Sequence, residues 1–226
     1  FESAHDLFIE PAVQETMRHT HNVLGFLLTW PDIIQFANSM YAFGHIFITL
    51  AVAAWLYVDH RAGFRMVRNV MLITNAAAFA LYELYPLAPP RLTSGLRYDG
   101  RAFHFQDTMG HVLGTGTLNG TPIAYNPFSA MPSIHVAWAL IIGISLVILA
   151  RHAVLKALGA LYPLIMTFAV LVTANHYVLD AIGAAAVVLL AGAIVFGTEQ
   201  IRSRLRQRTG SLHEPPAISP PILKSA

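Results

Sequence analysis

The residues best suited to chemistry lie in three short polar islands of an otherwise apolar chain. The first is Pro89-Pro90-Arg91, the second Pro132-Ser133-Ile134-His135, and the third runs from Asn175 and His176 to Asp180. On a helix, His176 and Asp180 stand four residues apart on one face, close enough for the carboxylate to orient and polarise the imidazole. Arg91 offers phosphate oxygens a planar, permanently charged fork. Ser133 and the amides of a helix starting after Pro132 add hydrogen-bond donors at a positive helix end, which suits an anion. Two histidines flanking a phosphoryl group can divide the labour, one attacking phosphorus and one protonating the leaving oxygen, and that chemistry requires no metal or other cofactor. Each island alone has a plainer reading: a hydrogen bond between helices for the His–Asp pair, a headgroup anchor for the arginine. An ionisable pair at a membrane's edge is expensive, however, and is by default a functional-site hypothesis.

Helices that cross a bilayer must bring these islands together. Of 226 residues, 55% are hydrophobic and 12% charged, with a mean hydropathy of +0.55, whereas soluble domains carry roughly 25% charged residues. The composition predicts an all-α, polytopic transmembrane helix bundle. There is no cysteine, hence no disulfide framework or thiolate metal site. A net charge of +2, with the basic residues in short clusters, argues against a nucleic-acid partner.

Residues 1–30 mix charge with apolar positions and read as an interfacial segment. Apolar runs over 33–58, 70–87, 134–150, 154–173 and 177–196 predict five spans. The first, at ~1.5 Å per residue, exceeds the roughly 30 Å hydrocarbon thickness. Within it Gln35, Asn38 and His45 are expected to face the bundle, His45 as a hydrogen-bonded packing residue. A polar turn over 59–68 carries Arg61, Arg65 and Arg68. Residues 88–131 form the one long internal loop, a candidate lid with room for a short helix over 102–113. The catalytic bundle thus covers 31–198, and 199–226 form a basic, Pro-rich, solvated tail.

The arginine turn, the Arg151/Lys156 turn and the Arg202 to Arg208 tail all fall on one side, which the positive-inside rule makes cytoplasmic. Arg91, Ser133, His135, His176 and Asp180 then share one depth near the extracytoplasmic interface.

In this order and form, Tyr85-Pro-Leu-Ala-Pro-Pro-Arg91, Ala130-Met-Pro-Ser-Ile-His135 and Asn175-His-Tyr-Val-Leu-Asp180 resemble the three motifs of the type-2 phosphatidic acid phosphatase superfamily. Within it they look most like the branch that includes inositol phosphorylceramide synthases. The resemblance covers roughly residues 85–183. It implies a six-helix membrane enzyme, so a sixth span upstream of Phe1 is expected. It also implies that His176 is the nucleophile that becomes phosphohistidine, Asp180 its orienting carboxylate and His135 the acid and later base, with Arg91 and Ser133 holding phosphate.

Two phosphate-binding cations of the family pattern are missing. Leu84 stands where family phosphatases have a lysine, and Ala169-Val170 where they have Ser-Arg; Leu92 also replaces a proline. Arg97 and Arg101 are the candidates to replace the lost charge. His104 and His111 lack a clear third partner for a metal site. Glu83 reads equally as a second polar wall of the site or as a bundle-facing helix residue.

The expected activity is metal-independent transfer of a phospho-headgroup or phosphoryl group from a lipid phosphate ester, through phosphohistidine, to an alcohol. Two absent cations suit a singly charged diester donor better than a monoester. The alternative is a lipid phosphate monoester phosphatase using the same residues and water. A membrane transporter, the competing class, explains buried polar residues but not this set at one interface.

Overall fold

The computed structural model describes residues 30–93, 97–98, 101–102, 105, 108, 117–118, 121–122 and 129–211. The interfacial segment over 1–29, the Pro-rich end over 212–226, and His104 and His111 lie outside the described residues.

The first long helix comprises α1 (Trp30–Ser39), a π-turn (Met40–Gly44) and α2 (His45–Asp59). It runs without a break because Ser39 and Gly44 keep right-handed helical dihedrals, while the His45 N–H bonds to the Met40 carbonyl five residues back. Its inward face carries Ile33, Ala37, Asn38, His45, Thr49 and Leu56. Gln35, expected to face the bundle, is exposed, since it lies two residues, roughly 200° around the helix, from both Ile33 and Ala37.

The chain leaves helical geometry only at His60 (φ −137°, ψ 58°) before α3 (Arg61–Leu84) begins. The expected polar turn over 59–68 is therefore a one-residue break, and Arg61, Arg65 and Arg68 ride on the first turns of α3. The Arg61 guanidinium lies 4.1 Å from the centre of the Tyr57 ring across that break, a cation–π contact. At its other end α3 stops because Pro86 disfavours helix at Tyr85, which leaves helical geometry at φ −141° and ψ 74°.

After a 3₁₀ turn (Pro90–Leu92), the long loop holds two ribbons of two-residue strands, Arg97–Tyr98 with Arg101–Ala102 and Thr117–Leu118 with Thr121–Pro122. Ala102 is thus extended, and Phe105 and Thr108 are buried but not helical; the short helix expected over 102–113 is absent at these described positions. Three further helices follow: α4 (Ile134–Leu149), α5 (Ala153–Val172) and α6 (Val178–Ser211). α6 continues past the expected boundary at 198, so its 34 residues reach ~51 Å at 1.5 Å per residue.

By length and composition, Pro31–Asp59, Ala153–Val172 and Val178–Gln207 can cross a membrane, and Ile134–Leu149 is a shorter apolar helix. α3 is long enough but shares its length with Arg61, Arg65, Arg68 and Glu83, and is not among them. The molecule is an all-α membrane helix bundle.

α4 lies at the centre, packed against α2, α3, α5 and α6, which accounts for its being apolar on all sides. Around it the core includes Val70, Val136, Ile142, Tyr162, Met166 and Val188. The seam with α5 is closest at two glycines: a Cβ on Gly143 would run into the Gly159 carbonyl oxygen, and one on Gly159 would lie 2.8 Å from the Gly143 oxygen. Pro163 explains the place, since it has no N–H to give the Gly159 carbonyl four residues back; only a residue without a side chain lets a neighbouring helix close over that oxygen.

α3 and α4 run antiparallel. The Tyr82 hydroxyl donates to the Pro132 carbonyl (2.7 Å) and the Trp138 indole to Asn75 (3.1 Å), while Gly63 faces Leu149 at the opposite end. The ends of α3 and α5 and the starts of α4 and α6 therefore meet at one end of the bundle, away from Arg61, Arg65, Arg68 and Arg151.

Candidate active site

Main-chain hydrogen bonds assemble the three polar islands. The Arg91 N–H donates to the Ala174 carbonyl (3.0 Å), the Ala130 N–H to Leu87 (3.1 Å) and the Ser133 N–H to Asp180 (3.1 Å). Ala174 ends α5 in the left-handed region (φ 53°), where an L-residue costs about 1–2 kcal/mol. The turn lets the Asn175 and His176 N–H groups both reach back to the Val170 carbonyl, at 3.0 and 3.2 Å. In this way the chain reverses into α6 with His176 facing the other two islands.

His176 precedes α6 instead of sitting on it, so its relation to Asp180 is not the helical one expected. Asp180 occupies the first turn of α6, and its Oδ2 reaches back to accept from the Tyr177 N–H at 2.8 Å. That is the acidic half of a capping box at a positive helix end. The same oxygen lies 3.3 Å from His176 Nδ1, which is also 2.8 Å from the Ala130 carbonyl oxygen. Both partners only accept, so Nδ1 must carry the proton, and in the neutral ring the lone pair falls on Nε2. Asp180 is fully buried.

His176 and His135 face a cavity of about 460 Å³, whose wall also includes Tyr41, Phe79, Tyr82, Glu83, Ala130 and Asn175. The two imidazole centroids are 5.9 Å apart. A phosphoryl group between them can approach one nitrogen at the ~3–3.5 Å of a near-attack geometry while its leaving oxygen meets the other. Glu83, left open by the sequence, belongs to the cavity wall. No lysine or arginine is found among the described residues of that wall.

Arg91 is held beside the cavity: its Nε donates to the Asn175 side-chain oxygen at 2.9 Å. Asn175 in turn donates to the Thr173 hydroxyl at 2.8 Å, and Thr173 to the Ala169 carbonyl at 2.7 Å. Ser133 is fully buried and is the N-cap of α4, its Oγ accepting from the Val136 N–H at 3.4 Å. Arg91 and Ser133 thus flank the site and do not line its wall. The side chains of Arg97 and Arg101 lie outside the described residues.

Two residues of the first long helix also belong here. Tyr41 stacks on His135 with centroids 4.0 Å apart, and His45 meets the same ring edge-on at 4.4 Å. His45 is buried, with its ring beside the backbone of Tyr41 and Met40 in the preceding turn. The available signal was the Tyr-x-x-x-His spacing inside an apolar run, which puts both rings on one helix face.

Compared with known proteins, the chain is matched over residues 10–194 by the family model described as PAP2 superfamily. The chain belongs to the PAP2 superfamily. Neither a curated protein nor a solved structure matches it. PAP2 membership supports an enzyme of the phosphatase type, and the apolar helices make this one a membrane protein. As a PAP2 protein it carries the site described above where three chain segments converge.

Proposed function

We propose that this PAP2 protein transfers a phospho-headgroup or phosphoryl group from a lipid phosphate ester to an alcohol by way of a phosphohistidine, without a metal. The observation that carries the proposal is the locked tautomer of His176: Nδ1–H is held by the Ala130 carbonyl and Asp180, leaving Nε2 as the nucleophilic atom. In the first half-reaction Nε2 forms a bond to phosphorus as the bond from phosphorus to the leaving oxygen breaks, and His135 gives that oxygen its proton. The ring then carries positive charge beside the Asp180 carboxylate. In the second, His135 takes the proton of the acceptor alcohol, whose oxygen bonds to phosphorus while the P–N bond breaks. Arg91 contributes positive charge beside the cavity, and Ser133 acts through the helix start that it caps.

Transfer from a phosphodiester is favoured over monoester hydrolysis because the wall holds a carboxylate and, among the described residues, no cation. The motif forms, similar to the inositol phosphorylceramide synthase branch, support the same donor type. The clusters of arginine at the far end of the bundle support a site on the extracytoplasmic face.

Purified protein in EDTA, given a phosphatidyl donor and a lipid alcohol, should form a new phosphodiester faster than it releases phosphate from phosphatidic acid. Acid-labile phosphate should be trapped on His176, and His176→Ala should lose roughly 10³-fold or more of turnover. Rapid phosphate release with no transfer product would assign the phosphatase reaction instead.

A further inference from the structure

We propose that Tyr41 and His45 form a clamp that positions the His135 imidazole, so that the first long helix takes part in the proton-transfer step. The inference rests on the role given to His135 above. His176 is oriented by hydrogen bonds to Ala130 and Asp180. Among the described residues no hydrogen bond holds the His135 ring. What holds it is aromatic: Tyr41 lies nearly parallel to it (22°, centroids 4.0 Å apart), and His45 meets it at 61° and 4.4 Å. The terminal torsion of a histidine is otherwise broad. A stacked face and a crossing ring together block both the swing and the spin of the imidazole.

Two further observations separate this arrangement from ordinary packing. His45 is a buried polar ring beside the backbone of Tyr41 and Met40, at a desolvation cost that a hydrocarbon side chain of similar size avoids. Both residues also flank or occupy the π-turn Met40–Gly44. Such a turn interrupts regular helical bonding, and in helices it recurs where side chains must be re-aimed at a functional site. A proton donor has to place its N–H within ~2.6–3.2 Å of the leaving oxygen. A ring free to turn by an ångström forfeits about 10²-fold in rate.

The test compares two lipid phosphate esters that differ only in the leaving group, an alkyl alcohol or a nitrophenol. The second departs with little help from an acid. Tyr41→Leu and His45→Leu should each lower kcat for the alkyl ester by about 10²-fold. With the nitrophenyl ester they should lose less than about 3-fold, with KM little changed on either. Tyr41→Phe keeps the stacked ring and should lose clearly less kcat on the alkyl ester than Tyr41→Leu. Phosphohistidine formed from the nitrophenyl ester reports that each variant is folded; Tyr41→Met replaces Tyr41→Leu where the leucine variant fails that check. Equal losses on both esters, or Tyr41→Phe as impaired as Tyr41→Leu, would overturn the clamp. A wild-type protein that forms no phosphohistidine overturns the reaction scheme itself, and the clamp with it.

Discussion

At the scale of single residues, the Glu83 carboxylate on the cavity wall bears directly on which phosphate esters are accepted. A monoester carries up to one more negative charge than a diester, so it meets more repulsion there. Glu83 is exposed, which screens the effect to a modest size. Glu83→Gln should raise kcat/KM for phosphatidic acid hydrolysis by about 3- to 10-fold while changing diester transfer by less than about 3-fold. Steady-state assays on both substrates check this, and an equal effect on both would remove Glu83 from substrate selection. The His176 and Asp180 pairing was legible from spacing alone, although for a different reason than the spacing suggests. It comes from a reversal at Ala174 and a helix cap, not from a shared helix face. Tyr41 has only its four-residue spacing from His45 as a signal, which does not by itself aim either ring at the site. In a run where nearly every residue is apolar, periodicity does not tell the face turned to lipid from the face turned to the site.

At the scale of elements, the breaks were easier to read than the boundaries. Pro86 and Pro132 mark where α3 ends and where α4 is about to begin, because proline restricts the residue before it and tolerates the first turn after it. The arginine-rich segments at 61–68 and 201–208 were harder, since arginine and leucine are good helix formers. Polarity alone does not stop a helix. Where Gly143 meets Gly159 the helices α4 and α5 leave no space for a methyl group. Gly143→Ala should therefore cost about 1–3 kcal/mol of stability, read as a lower midpoint of thermal unfolding in detergent. It should also reduce turnover, because α4 begins at His135's end and α5 leads into His176. An unchanged midpoint would mean that the two helices part freely at this seam.

For the whole molecule, the site and the arginine clusters occupy opposite ends of the bundle, so its orientation across the bilayer is open to a direct test. The chain has no cysteine, which allows single probes to be introduced. In intact cells, Leu92→Cys should react with a membrane-impermeant maleimide, and Gln207→Cys should react only after the membrane is opened. The reverse pattern would turn the site toward the cytoplasm. The bundle class was legible from composition and apolar run lengths, and the common end of the three islands from the arginine clusters, whereas the contacts that join them were not, because main-chain hydrogen bonds carry no signature in side-chain type. Those same contacts, Arg91 to Ala174, Ala130 to Leu87 and Ser133 to Asp180, have a bearing on descent. A backbone N–H or carbonyl survives nearly every substitution, with proline the exception among donors. A lineage can thus replace the side chains around the cavity, and with them its donor and acceptor, while inheriting the frame that keeps the two histidines facing each other.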